Sequence, residues 1–331
     1  MTPLDGPIVL KLLLVMFLSL MSALVPSAPE RDTRDSGYGL FVFATASHPT
    51  VTDGSSSGGN PIFFWRGLEP EEGEYDWDQL DKAVVQALTT GTRIIPRIVT
   101  NFSIFGETSP DWFFDAKGAQ YYYPHDEAEN LDYRAPIPWD PVYEDKFGAF
   151  LEALGERYNG NPAIEFFQIT SAGVYGELYL GSNRPDGFTV QVYKASIEHW
   201  TDAWRDAFPN TNLSIMINGL GDNVGEEAAS HAVERGYYLQ MNSPIGHPAT
   251  RALLAEYADV TKIIIEAENG GCQTATGVGF QEMVHSLFGF GYHVDYVTLC
   301  PQSFIPGSTG EELERVWERL PRAPGSGSNS D

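Results

Sequence analysis

The sequence predicts a single-domain α/β protein folded as a (β/α)8 TIM barrel, in which eight parallel strands alternate with helices. Three observations lead to this prediction. Eight short apolar runs recur along the chain, helix-like stretches separate them, and no change of composition marks a second domain. A doubly wound open sheet is the alternative. No G-x-G-x-x-G motif follows a predicted strand to support it, because Gly219-Leu220-Gly221 lacks the third glycine.

The predicted strands are short apolar runs, and the predicted helices repeat apolar residues at helical spacing. The strands lie at residues 40–44, 61–65, 93–99, 164–169, 213–217, 237–241, 263–265 and 294–299. The helices lie at residues 80–88, 143–158, 190–208, 226–235, 249–257 and 281–288. The barrel is therefore expected to span residues 37–320. A long aromatic insert at 101–140 follows the third strand, and we expect it to cover the carboxyl-terminal face of the barrel.

The two ends of the chain differ from its body. Residues 12–25 form an apolar run in which Ser19 and Ser22 are the only polar residues. This length suits the apolar region of a signal peptide and is short for a membrane span. We therefore expect residues 1–28 to be a signal peptide and the protein to be secreted, with an uncleaved membrane anchor as the alternative. Residues 321–331 are predicted to be a disordered tail.

Charge and composition restrict the partners. The chain has 45 acidic and 20 basic residues, a formal net charge of −25. Such a charge repels nucleic acid and anionic polysaccharide, and it does not affect neutral ligands. The histidines and the two cysteines, Cys272 and Cys300, show no metal-binding spacing, so no metal or cofactor is expected. Whether the two cysteines form a disulfide, and which oligomer forms, both stay open.

Two predicted strands lead into carboxylates. The run IEFFQITSAGVYGELYL, starting at Ile164, opens into a glycine-bearing turn that carries Glu177. The run KIIIEAENGG, starting at Lys262, leads into Glu266 and Glu268. Strand alternation places Ile264, Glu266 and Glu268 on the inner face if the flanking isoleucines pack outward. Together these acids suggest a paired-carboxylate site; a solvated loop glutamate and structural ion pairs are the alternatives.

Three segments resemble a known family. They are WRGLEPEEGEYDWDQL from Trp65, PDWF from Pro110, and the stretch from Tyr143 to Gln168 with its Arg157-Tyr158 and Asn161-Pro162 pairs. They resemble the TIM-barrel retaining glycosidases, especially the β-galactosidases of glycoside hydrolase family 42. The resemblance implies an O-glycosyl hydrolase acting on an oligo- or polysaccharide with two catalytic carboxylates.

One position departs from that pattern. The clan usually carries Asn-Glu at the end of the fourth strand, the glutamate being the acid/base, whereas this chain has Thr170-Ser171-Ala172. The nearest acid is Glu177, in a segment similar to that of little-characterised barrel relatives. The resemblance implies Glu177 as acid/base and Glu266 as nucleophile, with Glu268 as the other candidate. The rival hypothesis is a catalytically silent barrel that binds glycans.

Eight further residues are predicted to contact the substrate or support the carboxylates. Arginines at strands two and three can pair with a carboxylate, asparagines at the ends of strands five and six can bind hydroxyls, and aromatic rings can stack on pyranose faces. These residues are Arg66, Arg97, Asn218, Asn242, Trp65, Trp112, Trp139 and Tyr175.

Overall fold

A computed structural model describes most of the barrel. It covers residues 39–44, 58–102, 106–124, 133–171, 173–174, 177–181, 183–217, 224–242, 248–267 and 294–299. The predicted signal peptide, the tail, both cysteines and the predicted helix at 281–288 lie outside these residues. None of the helices within the described ranges is long and apolar enough to cross a membrane.

Parallel strands form a closed ring. They are β1 (Gly39–Ala44), β2 (Gly58–Phe64), β3 (Arg93–Ile94), β4 (Arg97–Val99), β7 (Phe167–Gln168), β8 (Leu213–Met216), β9 (Tyr238–Asn242), β10 (Ile263–Ala267) and β11 (Tyr296–Leu299). Strands β3 and β4 make up one predicted strand, interrupted where Pro96 supplies no N–H to the ladder. Each of the eight positions pairs with the next along the chain, and β1 pairs with both β2 and β11. The predicted (β/α)8 fold is therefore confirmed.

Five helices lie at the predicted places, and two short helices that the sequence does not predict follow the second and third strands. Their bounds are α1 (Trp65–Leu68), α2 (Asp78–Thr90), α3 (Asp111–Asp115), α4 (Pro141–Tyr158), α5 (Val190–Ala207), α6 (Gly225–Glu234) and α7 (Pro248–Tyr257). Local chemistry explains the sharpest starts. Asp140 caps α4 by accepting the Tyr143 N–H, and Pro141 occupies the first turn. Thr189 caps α5 in the same way, accepting the Val192 N–H.

Alternation along the strands separates two apolar regions. Ile263 and Ile265 join the large core between the sheet and the helices. Ile264 joins a small cluster inside the barrel with Ile95, Phe166 and Tyr296. The inward face of β10 is therefore the one that parity predicts, and Glu266 continues it.

The insert after the third strand carries a small hairpin. Its strands β5 (Tyr121–Tyr122) and β6 (Ala135–Pro136) pair antiparallel. The Tyr133 hydroxyl donates to Asn101 Oδ1 at 2.7 Å, and Asn101 Nδ2 donates to the Tyr122 hydroxyl at 3.4 Å. Because Asn101 directly follows the end of the third strand, these bonds attach the hairpin to the carboxyl-terminal end of the barrel, as the sequence predicts for the insert.

Candidate active site

A buried polar layer surrounds Glu266 inside the barrel. Arg97, at the third strand, forms an ion pair with Glu266 Oε2, and both side chains are at most 1% exposed. Gln240 donates to the same oxygen at 2.7 Å, and Gln168 donates to it at 3.3 Å. Gln168 also accepts the Arg97 Nε–H at 2.7 Å. A buried carboxylate requires such partners, and the guanidinium favours its ionised form.

Asn242 links this layer to Glu177. Asn242 and Glu266 are paired across β9 and β10, so they lie side by side at the carboxyl ends of these strands. The Asn242 side-chain amide donates to Glu177 Oε1 at 2.7 Å. Glu177 therefore reaches from the loop after the fourth strand to the sixth strand, next to the position of Glu266. Its side chain is partly exposed, whereas Glu266 is fully buried.

A tight turn fixes the loop that carries Glu177. Val174 and Tyr179 form a backbone bridge, and the Glu177 N–H donates to the Val174 carbonyl at 3.0 Å. Gly173 has φ of 84°, and a Cβ there would lie 2.6 Å from the Tyr179 nitrogen. Leu178 also has a positive φ, 58°, the only non-glycine to do so in the described part of the chain. Such backbone strain is kept where surrounding contacts hold it, and it clusters at functional sites.

The surroundings hold this strained turn in place. The buried Tyr193 hydroxyl donates to the Leu178 carbonyl at 2.6 Å. Leu178 itself is buried, while Glu177 beside it keeps access to solvent. Trp139 packs edge-on against Tyr193, with ring centroids 6.1 Å apart, and is only half-buried. Trp139 therefore packs against the ring that supports the Glu177 turn, and it retains accessible surface.

The structure contradicts one predicted contact. Trp65 is fully buried among the rings of the main core, so it offers no face to a sugar, and its assignment as a stacking ring is wrong. Its indole N–H instead donates to Glu69 Oε2 at 2.7 Å. Burial raises the pKa of Glu69, against the opposing effect of hydrogen bonds from the Gly73 N–H and Trp65. Glu69 thus fixes the turn after the second strand, as its proximity to Pro70 suggests.

The remaining predicted residues divide into three groups. Arg97 and Asn242 contact the two carboxylates, as described above. Arg66 is exposed, with its guanidinium carbon 5.5 Å from the Phe64 ring centroid, and Trp112 is half-buried with its indole N–H donated to the Glu69 carbonyl. Glu268, Tyr175 and Asn218 lie outside the described residues.

Two residues of the polar layer were not among the predicted site residues. Gln168 and Gln240 are each placed inside an apolar strand, in FFQIT and YLQMN, and each bonds Glu266. An amide at an inward position of a barrel strand is a signal that can be read from alternation, because such a group requires a buried polar partner. Within the described ranges, no group of three His, Cys, Asp or Glu side chains is arranged to hold a metal ion.

The fold is a TIM barrel, and part of the chain matches a family of glycoside hydrolases. Residues 60–208 match the family model described as β-galactosidase, glycoside hydrolase family 42. A curated relative, β-galactosidase BbgII of Bifidobacterium bifidum, is 24% identical over 160 residues, covering 44% of this chain and 21% of the relative. The resemblance to the family 42 catalytic barrel is therefore confirmed, and the chain spans about a fifth of the length of this curated relative.

Solved structures agree on the fold. The catalytic domain of β-amylase from Paenibacillus polymyxa superposes with a TM-score of 0.61 at 13% identity, covering 85% of this chain and 99% of that one. Endo-glycoceramidase II from Rhodococcus sp., solved as its ganglioside GM3 complex, gives a TM-score of 0.54 at 15% identity, covering 85% and 80%. At these identities the likeness concerns the barrel architecture.

Proposed function

We propose that this protein is a glycoside hydrolase that cleaves a neutral glycan by a retaining mechanism. In this mechanism Glu177 is the acid/base, and the nucleophile is a carboxylate in or just after β10, the seventh strand of the barrel. The observation that carries the proposal is the hydrogen bond from Asn242 to Glu177. It brings a partly exposed carboxylate next to the strand pair that holds Glu266. The two acids come from different elements, and Asn242, which bonds one and is paired with the other, lies at the carboxyl-terminal end of the barrel, where TIM-barrel enzymes have their active sites.

The chemistry proceeds in two balanced steps. The nucleophilic carboxylate attacks the anomeric carbon, the glycosidic C–O bond breaks, and Glu177 gives its proton to the leaving oxygen. A glycosyl ester of the enzyme results. Water then attacks the anomeric carbon while Glu177 takes its proton, and the ester bond breaks, so the nucleophile returns as a carboxylate. Two inversions leave the anomeric configuration unchanged.

The nucleophile is either Glu266 or Glu268. In favour of Glu266, the Arg97 guanidinium supports the ionised form that a nucleophile needs. In favour of Glu268, the bonds from Arg97, Gln168 and Gln240 all hold Glu266 within the barrel interior, and sequence alternation puts Glu268 on the same face one layer further on. We retain Glu266 as the first choice because of its ionic partner.

The substrate we propose is neutral, with a β-galactoside as the first probe. The net charge of −25 repels anionic polysaccharides. The family description, β-galactosidase, suggests the sugar to try first. Trp139, half-buried beside the Glu177 turn, is the ring that we assign to stacking on a pyranose face.

A substrate screen followed by chemical trapping tests the proposal. Aryl β-galactosides and related aryl glycosides are given to the wild type, Glu177→Gln, Glu266→Gln and Glu268→Gln, and proton NMR follows the anomer first released. An activated fluorosugar then labels the nucleophile, and peptide mapping identifies the labelled residue. We expect a retained anomer and a label on Glu266. A label on Glu268 reassigns the nucleophile, and full activity in all three variants contradicts the two-carboxylate site.

A second candidate function is a silent glycan-binding barrel. The specific observation in its favour is that Thr170 and Ser171, where the clan has its Asn-Glu, are buried and carry no carboxylate. The Ser171 hydroxyl instead accepts the Trp204 indole N–H at 2.6 Å. Binding of an oligosaccharide without hydrolysis of any glycoside in the screen supports this alternative.

Secretion is part of the proposal. The apolar run at residues 12–25 supports a signal peptide at residues 1–28. Expression of the whole chain in a secreting host, followed by N-terminal sequencing of the product in the medium, tests this. A product that starts near residue 29 supports secretion; a full-length product that stays with the membrane fraction supports an uncleaved anchor.

A further inference from the structure

A pair of exposed tyrosines on the hairpin of the insert forms a surface outside the candidate active site. Tyr121 and Tyr123 are 39% and 50% exposed, whereas Tyr122 between them is buried. The two rings are 5.8 Å apart and nearly perpendicular, at 82°. We call the surface formed by Tyr121 and Tyr123 the tyrosine patch. Exposed aromatic rings that adjoin each other indicate an interaction site more often than isolated ones do.

Packing and an ion pair support Tyr121 from behind. Phe114 packs edge-on against Tyr121, with centroids 5.5 Å apart. The Arg134 guanidinium lies 4.3 Å from the Phe114 ring centroid and 5.8 Å from that of Tyr121. Glu107 in turn fixes Arg134 through two hydrogen bonds of 2.8 Å. A surface that is already ordered loses little conformational entropy when a ligand binds to it.

The tyrosine patch lies at the same end of the barrel as Glu177. The hairpin is attached to Asn101, at the end of the third strand, through Tyr133 and Tyr122. Asn183, in the segment that follows the Glu177 turn, donates to the Tyr123 carbonyl at 3.2 Å. The hairpin therefore contacts the segment that follows the Glu177 turn, on the side where a glycan bound at Glu177 would extend towards it.

The chemistry of the tyrosine patch suits a neutral glycan. Perpendicular rings present a flat face together with a hydroxyl-bearing edge, which matches the apolar face and polar rim of a pyranose. The nearby charges are already paired, since Arg134 bonds both Glu107 and Asp111. Two rings are also far smaller than the roughly 1,200 Å² that a specific protein–protein interface buries.

We propose that Tyr121 and Tyr123 form an outer binding site for sugar units of a neutral polysaccharide whose cleavage point lies at Glu177. The inference rests on the proposed function for the identity of the ligand. Polysaccharide binding at the tyrosine patch is measurable without hydrolysis, so the two proposals can fail separately.

Native electrophoresis in gels that contain soluble galactan, galactomannan or xyloglucan tests the site. The proteins compared are the wild type, Tyr121→Ala/Tyr123→Ala, Tyr121→Phe/Tyr123→Phe, and Val85→Ala. Val85 is a matched control, because it is an exposed apolar residue on α2, outside the insert. Thermal melts check folding, and kcat/KM on a small aryl galactoside checks the candidate active site.

We expect at least one polysaccharide to slow the wild type and the Val85→Ala protein. The alanine pair should bind it about ten-fold more weakly, and the phenylalanine pair should retain most of the binding. The aryl galactoside should be cleaved equally by all four proteins. The same pattern without any aryl glycoside turnover keeps the outer site and rejects the hydrolase.

Three results overturn the outer site. They are no retardation of the wild type by any of the polysaccharides, equal retardation of the wild type and the alanine pair, and loss of binding in the phenylalanine pair as complete as in the alanine pair. A different measurement can also contradict the outer site: a change of oligomeric state in the alanine pair on size exclusion makes the tyrosine patch an interface between copies of the chain.

Discussion

Two arginine–glutamate pairs occupy the barrel, one at each end of the third strand. The lower pair, Arg93–Glu165, lies at the amino-terminal end, where Tyr296 also donates to Glu165 at 2.6 Å. The upper pair is Arg97–Glu266. The Arg93 side chain keeps 32% of its surface exposed, whereas both members of the upper pair are at most 1% exposed.

The two pairs consist of the same residue types, and their positions at opposite ends of the barrel give them different surroundings. The lower pair adjoins Lys262, which lies over the faces of Tyr238 and Tyr296, and burial lowers the pKa of that lysine. This end is closed by packing. The upper pair leads instead through Asn242 to a partly exposed acid. In TIM barrels the amino-terminal end serves stability and the carboxyl-terminal end carries catalysis.

The largest expected effect comes from breaking the upper pair. Arg97→Met leaves Glu266 buried without its cation, which should lower the free energy of unfolding by about 3–5 kcal/mol and abolish hydrolysis. Urea unfolding and the aryl glycoside assay measure the two effects. A loss of stability below about 1 kcal/mol contradicts the view that Glu266 depends on this ion pair.

Removing the amide between the acids should affect rate more than stability. Asn242→Ala takes away the hydrogen bond that positions Glu177, so kcat is expected to fall by about 10- to 100-fold. KM should change little, and a melting temperature near that of the wild type should accompany the loss. Asn242→Gln serves as the control that keeps the amide with a different reach. An unchanged kcat in Asn242→Ala shows that the bond has no role in positioning.

Breaking the lower pair should affect stability alone. Arg93→Met removes a partly exposed cation from Glu165, which keeps its bond from Tyr296. The expected loss is about 1–2 kcal/mol, with kcat/KM of the folded enzyme unchanged. A fall in kcat/KM comparable to that of Arg97→Met removes the distinction between the two ends.

The smallest effect concerns the Arg134–Glu107 ion pair behind the tyrosine patch, away from both barrel pairs. Hydrogen bonds from Arg134 hold the pKa of Glu107 below its usual range, against the effect of burial. A carboxylate whose pKa is lower in the folded than in the unfolded protein stabilises the fold at pH values above its unfolded-state pKa. This stabilisation is lost as the pH falls through the folded-state pKa. Because both side chains are partly exposed, Arg134→Gln should cost less than about 1 kcal/mol at neutral pH. The cost should shrink below about pH 4, as urea melts can show.

Much of the fold was predictable because strand alternation and helical spacing are local signals. They identify the eight barrel strands, and parity puts Glu266 inside. Tertiary packing decided the rest. Trp65 begins a short helix directly after β2, and its ring turns into the core against Phe147, at a centroid distance of 5.0 Å. The contact between Glu177 and Asn242 depends on the left-handed conformation of Leu178, for which the residue type gives no signal.

The most direct test of the central claim, that Glu177 is the acid/base, is the leaving-group dependence of Glu177→Gln. A general acid matters for a phenyl glycoside, whose leaving oxygen needs a proton, and matters little for a dinitrophenyl glycoside, which leaves as a stable anion. The predicted result is a loss in kcat/KM of about 10²- to 10⁴-fold on the phenyl substrate and a value near wild type on the dinitrophenyl substrate. Equal losses on both substrates, or no loss on either, contradict the assignment.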